Sequence, residues 1–162
     1  MSTRSEALAA RIEEGAAALA DYAESISDAD WQKSVRDGRP IGVIIHHVAS
    51  VYPIEVQLAQ GIGSGKALPE VTWEVVHKMN SDHAAANAGT SKKDAIDLLR
   101  RNSREAAAAV RQFTDAQLDT AAPFGLSFNA PVTAQFVIED HALRHSWHHL
   151  ARIKQTLGQW GT

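Results

Sequence analysis

Apolar residues recur every three to four positions along most of this chain, a spacing typical of amphipathic helices and not of strands. No β-hairpin signal stands out, and residues 119–130, which include Pro123 and Gly125, are predicted to form a long loop. The pattern predicts four main helices over residues 5–25, 41–60, 91–113 and 131–157, and a short inserted helix over residues 72–88. The predicted fold class is therefore all-α, in a single domain that spans residues 1–162.

Prolines mark where two of these helices are expected to begin and where one is expected to bend. Pro40 and Pro131 each stand at a predicted first helical position. Pro53 lies inside the second helix, where it removes one backbone hydrogen bond and predicts a kink. Residues 28–39 contain a turn signal and are expected to form a connecting loop.

Composition and charge exclude several classes of function. The formal net charge is −3 and no run of Lys or Arg occurs, so nucleic-acid binding is not expected. No apolar stretch is expected to approach the roughly 18 residues that cross a bilayer, so no membrane association is expected and a cytoplasmic protein is the default. The chain has no cysteine, which excludes disulfides, thiolate ligands and a cysteine nucleophile. Any bound metal must therefore be held by nitrogen and oxygen.

Three of the eight histidines lie where a metal site would need them. His47 falls within the apolar arc of the second helix, whereas His46 falls in the opposite, polar sector. His145 and His149 are four residues apart on the last helix, which places their Cβ atoms about 5–6 Å apart on one face. Three protein ligands with one open position are the usual arrangement of a catalytic zinc site. The pattern therefore favours a metal site over separate core and surface histidines.

Two further residues are candidates for the same site. His141, one turn before His145 at the polar border, fits either a fourth ligand or a solvated side chain. Glu55 falls in the apolar arc two turns after His47, where an unpaired carboxylate is costly. Four interpretations stay open for Glu55: it orients a ligating imidazole, acts as a general base, pairs with a basic residue, or merely lies under a loop. The inserted helix adds three candidates for the wall of the same cleft: His77, Asn80 and His83.

These segments resemble those of the DinB-like (damage-inducible protein B) superfamily. The stretch around His47 resembles the first metal-ligand segment of that family. Residues 145–153 resemble its second segment, a helix with the H-x-x-x-H spacing. The Asp30-Trp31 stretch and the Asp37-Gly38 turn before the second helix resemble the family's lead-in. The likeness covers nearly the whole chain in helix order and motif positions.

One departure from the family pattern is visible. Many members have glycine and glutamine after the second ligand histidine, where this chain has Ala151 and Arg152. Alanine is small enough for close helix packing, and Arg152 is expected in the polar sector. The departure leaves the metal site intact but weakens any assignment to a subfamily.

The resemblance implies a four-helix bundle with an up-down-down-up connection. It implies a divalent metal, commonly zinc or nickel, held by His47, His145 and His149. It also implies kinship with thiol-dependent S-transferases and maleylpyruvate isomerases, which use low-molecular-weight thiols such as mycothiol, bacillithiol or glutathione. Because dimers are common in the family, a homodimer is expected.

Two functional hypotheses follow. In the first, the chain is a metal-dependent enzyme that acts on a small-molecule substrate by S-transfer, isomerisation or hydrolysis, with Glu55 as the one candidate catalytic residue. In the second, it is a non-catalytic, metal-stabilised bundle that serves as a dimeric binding module. Such a module would be metal-stabilised or metal-free; a metal, if present, would have a closed shell, completed by His141 or Glu55.

Overall fold

The computed structural model describes residues 2–66, 68 and 70–159 of the chain. Its elements are, in chain order, α1 (Thr3–Ser25), α2 (Asp28–Trp31), α3 (Ile41–Gly63), α4 (Trp73–Ala86), α5 (Lys92–Val110), α6 (Asp115–Asp119), β1 (Ala121–Phe124), β2 (Ala130–Thr133), α7 (Ala134–Val137) and α8 (Arg144–Thr156). A π-helical segment, Ile138–Leu143, joins α7 to α8 and completes a final helix over residues 134–156. The predicted domain range of 1–162 also includes residues 1, 67, 69 and 160–162, which lie outside the described residues.

Serine and threonine side chains start most of these helices. Each accepts a hydrogen bond from a backbone N–H of the first turn, which would otherwise lack a partner. The caps of α1, α4, α5, α6 and α7 are Ser2, Thr72, Ser91, Thr114 and Thr133. At α3 the cap is Pro40, one residue before the helical position predicted for it, and the helix continues through Pro53.

Contacts between helix ends define the direction of each helix in the bundle. Ser5 at the start of α1 contacts the carbonyl of Arg111 at the end of α5, so α1 and α5 are antiparallel. Asn102 in the middle of α5 donates to the carbonyl of Ala49 in the first half of α3. Gly63 at the end of α3 lies against Phe113, just after α5, so α3 and α5 are parallel.

The final helix returns in the direction of α1. Arg4, near the start of α1, donates to Gln135 in α7, at the start of the final helix, so the two helices are parallel. Tyr52 in α3 bonds to Ser146, and both side chains are buried. The predicted up-down-down-up four-helix bundle is therefore confirmed, with α4 inserted in the chain between α3 and α5.

The predictions for residues 119–130 and for Pro131 were wrong. Residues 121–124 and 130–133 pair as an antiparallel β-hairpin, in which Pro123 lies opposite Pro131. The strands have four residues each, and prolines within them hide the usual strand signal. The final helix begins three residues later than predicted, because the Thr133 side chain caps the backbone N–H of Phe136.

The predicted connecting loop over residues 28–39 contains the helical turn α2. Trp31 closes this turn and is buried against the first turn of α3. A Cβ atom on Gly42 would lie 2.4 Å from the Trp31 indole, so this close approach requires glycine. The packing fixes the entry of the chain into α3, where the first predicted ligand lies.

Helix α3 is the most deeply buried element of the bundle. It is 23 residues long with a mean hydropathy of 1.3 over 18 residues, so the expectation that no stretch approaches membrane-spanning length was wrong for this helix. The prediction missed it because histidines, Ser50 and Glu55 interrupt the apolar run. Since 61% of that window is buried within the bundle, α3 is explained as a core helix and indicates no membrane protein.

Candidate metal centre

The three predicted ligand histidines meet at one place in the structure. His47 comes from the middle of α3, and His145 and His149 come from successive turns of α8. One imidazole nitrogen from each lies within 4.8 Å of the other two. The ring centroids are 4.9 Å apart for the α8 pair and 5.1 and 5.6 Å from His47 to His145 and His149. The helix spacing therefore brings the α8 pair together, and the antiparallel packing of α3 adds His47.

Burial keeps these imidazoles in the form that binds metals. His47 and His149 each expose only 5% of their surface. Burial, assisted by electrostatic repulsion between the neighbouring imidazoles, lowers the pKa of His47 to about 3 and holds the pKa of His149 far below its usual range. Both side chains are therefore neutral at physiological pH and present a nitrogen lone pair to a cation.

Glu55 is hydrogen-bonded to one of the three histidines. His145 Nδ1–H donates to Glu55 Oε1 at 2.5 Å, and the carboxylate is almost fully buried. This bond fixes the tautomer of His145, so its Nε2 is the nitrogen with an available lone pair. A histidine that binds a metal through one ring nitrogen commonly donates its other ring N–H to a carboxylate, which fixes the orientation of the ring.

The donor set fits a divalent cation. His149 Nδ1 is buried without a hydrogen-bond partner in the described part of the chain, as is the second oxygen of Glu55. Buried polar atoms rarely lack hydrogen-bond partners, and a nearby cation would offset the free-energy cost of burying these two atoms unpaired. Three imidazoles suit zinc and nickel among other divalent ions. Within residues 2–66, 68 and 70–159, no fourth His, Asp or Glu joins the group.

His141 lies apart from the three. It belongs to the π-helical segment, where the wider turn breaks the one-turn relation to His145 that an α-helix would give. Its ring packs edge-on against Phe124 of β1, with centroids 5.5 Å apart. The structure therefore places His141 on the wall of the site and not in the group of three.

The inserted helix α4 reaches the site through His83. Its Nε2 lies 2.8 Å from His46 Nδ1, and its ring centroid is 5.6 Å from that of His47. Asn80, one turn earlier, lines the cavity beside the histidines. His77 is exposed and packs near Trp73, so it is not part of the cavity wall. Of the three candidates on this helix, only Asn80 lines the cavity, and His83 instead packs against His46 and His47.

A cavity of about 800 Å³ opens in front of the three histidines. Its walls come from α3, α4, α8 and the turn of the hairpin. Gly125 in that turn packs so closely on the carbonyl of Val71 that a Cβ atom would lie 2.2 Å from it. Cavities of this volume hold drug-sized molecules. The fold therefore provides both a donor set and space for a small molecule beside it.

An arginine pair on the cavity wall was missed by the sequence analysis. Arg39 donates through Nε and Nη2 to Asp37, at 3.2 and 2.8 Å. Arg152 from α8 donates to the same carboxylate at 3.0 Å. The two guanidinium groups hold the pKa of Asp37 far below its usual range. The sequence offered only a turn signal here, since no local pattern links residue 37 to residue 152.

The fold and the site together define a class: a four-helix bundle with three histidines at the base of a cavity. The chain belongs to the DinB superfamily, whose sequence model matches residues 11–153. The resemblance seen in the sequence is thereby confirmed.

The structure is also similar to a solved one, YfiT from Bacillus subtilis, described as "a probable metal-dependent hydrolase with an unusual four-helix bundle topology". The two share 18% sequence identity with a TM-score of 0.71, over 99% of this chain and 91% of YfiT. At that identity the likeness shows the fold. No curated protein matches the chain.

Proposed function

We propose that this chain is a metal-dependent enzyme in which His47, His145 and His149 hold a divalent ion, zinc or nickel. The observation that carries the proposal is the convergence of three imidazole nitrogens within 4.8 Å at the base of a cavity. Three protein ligands leave a coordination position for a molecule from the cavity. A bound divalent ion would supply Lewis acidity and lower the pKa of a water or thiol that coordinates it.

The surrounding residues hold this arrangement in place. Glu55 fixes the ring of His145 and adds negative charge next to the proposed cation. The buried Tyr52–Ser146 bond, at 2.7 Å, ties α3 to α8 one residue away from His145. Both contacts resist a change in the spacing between His47 and the α8 pair. This rigidity is what a site of defined coordination geometry requires.

We propose hydrolysis of a small molecule as the reaction, because a metal ion with an open position and a water-accessible cavity suffices for it. Transfer of a low-molecular-weight thiol is the second candidate. The cavity of about 800 Å³ favours it, since that volume accommodates a thiol next to a second small substrate. Because the chain has no cysteine, the thiol would come from solution.

The metal proposal is tested by measuring metal content. Protein purified without an affinity tag is dialysed against zinc or nickel, freed of excess ion, and analysed by mass spectrometry. We expect one equivalent in the parent and almost none in the His47→Ala and His149→Ala variants. His77→Ala is the matched control, because His77 is exposed and lies outside the cavity wall. Retention of one equivalent by His149→Ala would overturn the assignment.

An open site is distinguished from a closed one with cobalt. The visible spectrum of the cobalt-substituted protein should change when a small thiol is added, because the thiol enters the coordination shell. A spectrum that does not respond to thiols or other small ligands would favour the non-catalytic binding module. We further propose that the protein is a homodimer in the cytoplasm, and light scattering at several concentrations tests the dimer.

A further inference from the structure

The cavity in front of the histidines is lined by two chemically different groups of residues. The apolar group comes from α3, α4 and the hairpin turn: Val51, Ile54, Leu58, Trp73, Val76, Met79 and Leu126. Ile54 and Met79 keep 41% and 46% of their surface exposed, although they lie on a concave wall. Apolar surface of this kind favours a ligand with a hydrocarbon or aromatic part, because binding removes the apolar surfaces of both the ligand and the wall from water.

The charged lining residues carry an excess of positive charge. Arg39 and Arg152 share a single carboxylate, that of Asp37, so one positive charge of the pair is not balanced locally. The two carboxylates on the cavity wall itself are already engaged, Glu55 with His145 and Asp140 with Arg144. A cation held by the histidines would add to this positive field.

One donor nitrogen of Arg39 also lacks a hydrogen-bond acceptor among the described residues. Its Nη1 is buried and makes no hydrogen bond within the described residues, although Nε and Nη2 both donate to Asp37. The side chain is 19% exposed and lies on the cavity wall beside His47. An unsatisfied buried guanidinium nitrogen is costly, and an anionic acceptor would relieve that cost with a charge-assisted bond.

We propose that the cavity binds an amphipathic carboxylic acid, with its carboxylate at Arg39 and its apolar part along the wall formed by α3 and α4. The inference deepens the proposed function, because it assigns the class of substrate that this site takes. Asp37 and Arg152 are positioning residues: Asp37 accepts from both guanidinium groups and thereby fixes the direction of Arg39. A cation at the histidines would then share the cavity with the bound acid.

The test compares 4-phenylbutyrate with its neutral analogue 4-phenylbutyramide by isothermal titration calorimetry at neutral pH. Both probes have the same apolar part, so the difference in affinity reports the charge. We expect the full-length protein to bind the acid about tenfold more tightly than the amide, as a charge-assisted hydrogen bond would give. Acetate, which lacks the apolar part, should bind the protein at least about tenfold more weakly than 4-phenylbutyrate.

The Arg39→Met variant should bind acid and amide with affinities within about twofold of each other. Arg36→Met is the matched control, because Arg36 is exposed in the same segment, and it should keep the preference for the acid. If circular dichroism shows that Arg39→Met is unfolded, Arg39→Lys replaces it, with an expected loss of about threefold in affinity for the acid and none for the amide.

Each titration is run on metal-free and on zinc-loaded protein, so that this proposal and the metal proposal fail separately. A preference for the acid in the metal-free protein that disappears in Arg39→Met supports the carboxylate site, whether or not the protein binds zinc. A preference that exists only with zinc and persists in Arg39→Met would place the carboxylate on the metal and overturn the proposal. Equal affinities for acid and amide in the parent, or no binding of either, would also overturn it.

Discussion

Replacing Glu55 with glutamine should lower the metal affinity of the protein without lowering the stability of its metal-free form. The substitution keeps the size of the side chain and an oxygen that can accept from His145 Nδ1, but it removes the negative charge. In the structure that charge is buried, with one oxygen on His145 and the other without a hydrogen bond in the described chain. A carboxylate in this position is unfavourable for the metal-free fold and favourable next to a cation.

The expected size of each effect follows from these contacts. Loss of a carboxylate that supports a ligating histidine lowers metal affinity about 10- to 100-fold, or roughly 1.4–2.7 kcal/mol. The metal-free protein no longer buries an incompletely bonded charge, so its free energy of unfolding should stay unchanged or rise by about 1 kcal/mol. Without metal, the variant should therefore be at least as stable as the parent. Addition of metal should stabilise the variant less than it stabilises the parent.

Two measurements on the same preparations test this prediction. Competition with a chromophoric chelator at constant pH gives the zinc affinity, and urea unfolding in excess EDTA gives the stability of the metal-free protein. Glu105→Gln serves as the control, since Glu105 is exposed on α5 and far in sequence from the site. It should change neither quantity by more than about 0.5 kcal/mol.

One result would refute the reasoning. If Glu55→Gln lowers the stability of the metal-free protein and leaves zinc affinity unchanged, the bond between Glu55 and His145 is a structural contact between α3 and α8. Glu55 would then have no part in supporting a metal, and the orienting role would be excluded for it.

Three further predictions concern the bundle around the site. The pKa of His47 is lowered to about 3 in the folded chain and is ordinary in the unfolded chain, so the metal-free protein should have its full stability above about pH 6.5. Its free energy of unfolding should fall as the pH drops toward 3, by about 1.4 kcal/mol per pH unit for this residue. Urea unfolding at several pH values checks this, and a His47→Gln variant with the same slope would contradict it. Tyr52→Phe should cost about 1 kcal/mol, because it leaves the buried Ser146 hydroxyl without its partner; an unchanged unfolding midpoint would contradict the bond. Gly42→Ala should destabilise the protein by about 1–3 kcal/mol through the clash with the indole beneath it, whereas Gly89→Ala, with open space around it, should have little effect in the same thermal unfolding assay.

Much of this protein follows from local sequence pattern. The period of apolar residues predicts all four bundle helices and the inserted one, because burying one face of a helix imposes that period wherever the helix lies. The same periodicity places His47 on the buried face of α3, and the four-residue spacing of His145 and His149 places both rings on one side of α8. These are short-range consequences of helix geometry, so they do not depend on how the helices are arranged.

The tertiary structure decides the rest, and the reason is the same in each case. The hairpin at residues 121–133 depends on pairing two proline-containing strands across a turn, which no single segment signals. The role of Glu55 depends on the antiparallel packing that brings it to His145, 90 residues away. Arg39 and Arg152 meet at Asp37 only because the start of α3 lies beside the end of α8. Contacts between residues distant in the chain are fixed by the packing of whole helices, and local sequence pattern carries no record of them.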